Sequence, residues 1–138
     1  MSMSLFVVLA LDCNTSTTKL NEYSAELGYS IEYEKNIELK SHSGFLPAKI
    51  NGEVAGVESY SYPVTNLPDD FTSQLPTKLT NGQVYQLRFG GRESEALSAF
   101  TTAIILNTKC EGITIDDQSG TVLTVEQLTQ GLSYFAQM

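Results

Sequence analysis

The sequence predicts an α+β fold: a mostly antiparallel sheet with helices packed on one face, a ferredoxin-like core with an added strand and a C-terminal helix. Three observations predict it. Short runs that alternate apolar and polar residues recur between turn signals. Apolar residues fall at helical spacing after Gly91 and again after Thr124. The resulting order is strand, helix, strand, hairpin pair, strand, helix, strand, helix, which sets helices against one face of an antiparallel sheet. The 138 residues fit one domain, 1–138. A chain of this size buries about two-thirds of its unfolded surface, so it needs no metal or disulfide to fold.

The first element is the apolar run Leu5 to Leu11, read as a buried strand. No Lys or Arg precedes it and Asp12, not a small residue, stands before Cys13, so a signal peptide is not expected. Asn14 to Thr18 supplies capping hydroxyls. Leu20, Tyr23, Ser24 and Leu27 then trace a short helix that Gly28 stops. Tyr29, Ile31 and Tyr33 alternate with polar residues as a half-buried strand, which Ile37 and Leu39 extend after a break. Asn51-Gly52 suits a type I′ turn, because both central positions need positive φ. It joins Phe45–Ile50 to Glu53–Tyr60, with Ala48 facing Ala55, Leu46 facing Val57 and Pro47 facing Gly56.

Pro63 to Pro76 holds three of the four prolines and reads as a surface excursion with one helical turn. Asn81-Gly82 turns the chain into a strand, Val84 to Phe89. Ala96, Leu97, Phe100, Ala103, Ile104 and Asn107 mark the apolar stripe of the strongest helix. Glu93 and Glu95 begin that helix and Lys109 ends it, as the helix dipole favours. Ile113 to Ile115 is a short strand and Asp116 to Gly120 a turn. Thr124-Val-Glu-Gln127 is a capping box. Val125, Leu128, Leu132 and Phe135 form the inner face of the last helix.

Sixteen acids stand against eight bases, a formal charge of -8. Dispersed bases exclude the clustered Lys and Arg that nucleic acid needs. No stretch approaches the ~18 apolar residues of a membrane span. The acids concentrate in two base-free stretches. One, between Ile50 and Thr77, carries Glu53, Glu58, Asp69 and Asp70; the other, after Lys109, carries Asp116 and Asp117 with Glu111 and Glu126. Glu53, Glu58, Asp69, Asp70, Asp116 and Asp117 are therefore the candidate partner-binding residues, and a basic protein is the expected partner, with no nucleic acid and no membrane.

No catalytic set is expected. His42 is the single histidine, in Ser41-His-Ser-Gly44, and a nucleophile–His arrangement would need Cys13 or Cys110 beside it. Phe89-Gly-Gly-Arg92 opens a helix but matches no phosphate-binding motif. Asp116 to Gly120 mimics part of a calcium loop, yet Ile115 would hold the first ligand position. No metal and no cofactor are expected. The two cysteines read as buried free thiols in a reducing cytoplasm. A Cys13–Cys110 bridge is the alternative, and it would need an oxidising compartment.

The segment Ser41 to Pro47, the turn Asn51-Gly52, the run Phe89-Gly-Gly-Arg-Glu-Ser-Glu-Ala-Leu97 and the ending Gly112 to Gly120 together resemble small uncharacterised bacterial proteins, some of them associated with toxin-immunity loci. The resemblance covers most of the chain from Ser41 onward, through turns and not catalytic signatures. It implies a cytoplasmic bacterial protein that works by binding. The leading expectation is a non-enzymatic, immunity-type inhibitor that occludes a basic toxin. The alternatives are a small-ligand or enzymatic domain using the His42 loop, and a structural domain, monomeric or a homodimer through the edge of the Phe45–Tyr60 hairpin.

Overall fold

A computed structural model describes residues 2–137. Its fold is α+β, as the sequence predicts. Seven strands form one sheet in the order β2-β3-β4-β5-β1-β6-β7. They are β1 (Met3–Leu9), β2 (Ile31–Tyr33), β3 (Ser43–Ile50), β4 (Glu53–Pro63), β5 (Gln83–Phe89), β6 (Ile113–Asp116) and β7 (Val122–Leu123). Every neighbouring pair is antiparallel. The helices are α1 (Thr17–Leu27), α2 (Asp69–Thr72), α3 (Glu93–Lys109) and α4 (Val125–Ala136).

The ferredoxin-like part is the crossover β5–α3–β6, whose strands flank β1. The expectation of one added strand is too small. β3 and β4 stand between β5 and β2, and β7 extends the far edge. The hairpin register agrees with the sequence reading at Leu46–Val57, Pro47–Gly56 and Ala48–Ala55. Asn51 and Gly52 take φ of 52° and 80°, as a type I′ turn requires. Pro47 O accepts from Glu34 N at 3.0 Å. The proline's missing N–H therefore faces the outer side, where it costs least. β2 covers the hairpin only at Ala48–Ile50, so β3 from Ser43 to Leu46 remains on the edge of the sheet.

Alternation sorts the side chains onto two faces. Leu5, Val7 and Leu9 of β1 join Tyr85, Leu87, Phe89, Leu46 and Val57 under α1, α3 and α4. Phe6, Val8, Val84 and Ile115 point the other way, into a second core. That core corrects the expectation for Pro63–Pro76. The excursion folds back over the sheet and buries Val64, Leu67, Leu75 and Leu79, with Phe71 against Phe6 at a centroid distance of 5.4 Å. Its prolines start three short helical turns, each preceded by an extended Pro63, Pro68 or Pro76. Helices thus lie on both faces, although the three long ones share one.

The central helix α3 is buried nearly all round, at Ser98, Thr101 and Thr102 as well as on its apolar stripe. It lies between the sheet on one side and its neighbours α1 and α4 on others, so a single stripe understates its burial. Its hydroxyls then need partners. Thr102 donates to Ser98 O at 2.7 Å, and its Oγ1 meets Tyr33 Oη at 2.5 Å. Ser98 Oγ donates to Ser94 O and accepts from Gly56 N at 2.9 Å. This line of bonds ties α3 to β2 and β4.

Asn21 of α1 pairs with the outer edge of β2, accepting from Tyr33 N at 2.8 Å and donating to Tyr33 O at 3.1 Å. A side-chain amide here does what a further strand would do, and blunts the edge. Ile37 and Leu39 do not extend β2; Leu39–Ser41 is a 3-10 turn whose Leu39 is buried. The predicted caps form at Gly28 (φ 82°) and in the Thr124–Gln127 capping box. Val125 is not on the inner face of α4: it is 40% exposed, whereas Leu128 is fully buried.

Cys13 and Cys110 are not free thiols. They form a disulfide, with Cα atoms 5.7 Å apart, between the chain leaving β1 and the C-terminal end of α3.

Candidate functional site

The two acidic stretches meet in part. Asp69 and Asp70 lie in the first turn of α2, where the positive end of the helix dipole favours them. Asp116 ends β6 and organises the next turn: Oδ1 accepts from Gln118 N at 3.2 Å and Oδ2 from Ser119 Oγ at 2.9 Å. Asp117 N donates to Ser4 O at 3.1 Å. Gln74 joins the two turns, because its Nε2 donates to Asp70 O at 3.0 Å and to Gly120 O at 2.6 Å. A side chain at Gly120 would contact the Phe71 ring. Asp69, Asp70, Asp116 and Asp117 therefore share one end of the molecule. Sequence separation hides this: Gln74 and Gly120 are far apart in the chain, and no local pattern signals their contact.

Glu58 and Glu53 do not join that end. β4 runs straight from the hairpin tip to Pro63, and its ten residue steps span roughly 30 Å. Glu53 sits at the tip, by a depression shared with Arg92 and Glu93. Glu58 lies midway, opposite Arg88 in the register, and accepts from Tyr60 Oη at 2.6 Å. The expected single acidic surface is four residues, not six.

His42 is half-buried, and its Nε2 pairs with Phe45 O at 2.9 Å. Both cysteine sulfurs are consumed by the bridge, so the thiol that a Cys–His arrangement would use is gone. Among the described residues, no three His, Cys, Asp or Glu side chains gather to hold a metal ion. No helix among them is long and apolar enough to cross a membrane.

Tyr62 lies beside the acidic end. Burial, and then the charge of Asp117, push its phenol up to about 12. Burial also raises Tyr33, against a smaller opposing effect of its bond to Thr102. Unfolded tyrosines ionise near ~10. The folded state holds these protons more tightly, so this contribution is complete below about pH 10 and is lost as pH rises towards 12. Urea midpoints measured from about pH 9 to 12 should fall with pH, and fall less steeply in Tyr62→Phe. Identical slopes for the two proteins would remove Tyr62 from the account.

The class of the fold is an α+β domain with one antiparallel sheet, covered fully on one face and half-covered on the other. Comparison with protein-family models, with curated proteins and with solved structures finds no match to the chain.

Proposed function

We propose that this chain is a non-enzymatic protein-binding domain that engages a basic protein through the acidic end built by α2 and the β6–β7 turn. The observation that carries the reading is Gln74, which holds the Asp69-Asp70 and Asp116-Asp117 turns together as one surface. Four carboxylates there attract a cationic patch over a Debye length of about 8–10 Å, and complementary charge speeds association more than it deepens affinity. In the immunity-type form of the proposal, suggested by the resemblance, the partner is a toxin whose cationic substrate site is covered. The cytoplasmic setting expected from the sequence rested on an N-terminal run unlike a signal peptide, and it went with free thiols. With Cys13 and Cys110 joined, the reading favours an oxidising compartment.

The test compares wild type with an Asp69→Asn, Asp70→Asn, Asp117→Asn variant in pull-downs from the producing cells. Asp116 is left intact because it orders its turn. A basic protein should be retained at about 50 mM salt and weakened at about 200 mM, with association to the variant slowed roughly tenfold or more. Recovery of the same partner, at the same rate, by the variant would overturn the assignment to this end.

A further inference from the structure

The half of the sheet left uncovered carries exposed Phe45 on β3 and half-buried Tyr60 on β4. Phe45 is 50% exposed. It lies across Gly56, where a Cβ would fall 2.5 Å from Phe45 Cζ, so the ring fills the space of the missing side chain. Tyr60 follows on the same face of β4, and Tyr62 beyond it, where it packs half-buried against the second core. Tyr60 Oη donates to Glu58 Oε1 at 2.6 Å, and Tyr62 Oη to Gln86 Oε1 at 2.9 Å. Glu58 precedes Tyr60 by two residues, and Gln86 is the cross-strand partner of Tyr60. Both phenols therefore lean along the strand towards Gly56 and are tethered there. Gln86 is held in turn, donating to Ser4 Oγ at 3.0 Å. Such prior tethering lowers the ordering cost of binding. Arg88 flanks these rings, exposed, with Nε donating to Ser2 Oγ at 3.2 Å and no carboxylate in an ion pair among the described residues.

We propose that this surface is a binding platform for a neutral saccharide chain. Charge is the first reason. The open face carries Glu32, Glu58, Lys49 and Arg88, which cancel, while the whole chain stands at -8. A neutral ligand suits such a patch, and a polyanion does not. Hydrogen-bonding capacity is the second. Glu58 only accepts and Arg88 only donates, and a sugar hydroxyl does both. A proline-rich segment would stack equally well on the rings but brings acceptors alone. The third is size. From β2 to β5 and from Val54 to Tyr60 the open patch measures roughly 15 by 20 Å by sheet spacings, about 300 Å². A stable protein interface needs about 800 Å² per partner. A pyranose instead lays its weakly positive C–H edges on the negative face of a ring. Beyond Pro47 and Lys49 the patch dips into a hollow of about 300 Å³, lined also by Glu32, Glu34 and Lys35, with room for a further sugar. The disulfide agrees with a compartment outside the cytosol, where cell-surface polysaccharides lie. The platform goes beyond the protein-binding reading and shares none of the residues that test it.

The experiment is an amide NMR titration of the intact chain with cellohexaose, chitohexaose and maltohexaose, and with a polyproline peptide as contrast. At least one oligosaccharide should give saturable shifts centred on Phe45, Gly56 and Arg88. Phe45→Ala and Tyr60→Ala should each weaken binding about tenfold or more, with the rest of the spectrum unchanged. Tyr60→Phe keeps the ring and should bind within a few-fold of wild type. Asp117→Asn should bind equally, which separates this site from the acidic end. Absence of saturable shifts with all three sugars, or shifts with polyproline alone, would overturn the proposal.

Discussion

Replacing Cys13 and Cys110 by serine, or reducing their bridge, is expected to lower the unfolding free energy by about 2–5 kcal/mol. The bridge joins residues 97 apart in sequence. In the chain-entropy account, closing a loop of about 100 residues takes about 4.7 kcal/mol of freedom from the unfolded chain. The link also fastens the end of the central strand β1 to the end of the buried helix α3. The chain leaves β1 through a turn at Leu11–Asp12, and the end of α3 leads through Glu111, at a φ of 52°, into β6. Urea unfolding with and without reductant measures the effect. In thermal unfolding the change corresponds to a fall of roughly 6–15 °C, at about 3 °C per kcal/mol for this chain length. Coincident curves for the oxidised protein and the double serine variant would show that the bridge contributes nothing.

Leu79→Ala is expected to destabilise the protein by about 2–5 kcal/mol, as for a buried leucine. Leu79 is 1% exposed and packs with Phe6, Val8, Val64, Val84 and Ile115 beneath the excursion. Were the excursion a loose surface loop, the change would cost about 0.5 kcal/mol or less. The neighbouring Lys78→Ala serves as control, because Lys78 is exposed in the same turn. Urea denaturation of the two variants decides between the pictures. Equal midpoints for Leu79→Ala and Lys78→Ala would mean that the second face is not sealed by this segment.

Elements whose cause is local were legible beforehand. Asn51-Gly52 demanded its turn, and the turn set the register of eight paired residues from Ser43 to Ile50. Thr124 and Gln127 cap α4 because the bonds they make span only three residues. The misreadings share a different cause. Val125 has helical spacing with Leu128, yet at the first turn of α4 no neighbour covers it. The stripe on α3 showed one buried face, but enclosure by α1, α4 and the sheet came from three distant segments.

The candidate site divides the same way. Composition located the acids, and four of the six converge. Their convergence rests on Gln74, whose partners lie in two turns 50 residues apart, at Asp70 and Gly120. The aromatic platform was hidden because Phe45 and Tyr60 read as ordinary strand residues. Only the landing place of the 63–79 excursion decides that Phe6 and Val8 are sealed while Phe45 stays open.

Taken alone, the sequence determined the α+β class, the hairpin register, the helix caps and the acidic character. Each follows from contacts within a few residues or from composition. The tertiary structure decided which sheet face is covered, that Cys13 meets Cys110, and that Gln74 joins two acidic turns. Those outcomes depend on the closure of long loops, whose cost varies only slowly with length, so nothing local in the chain marks which distant residues will meet.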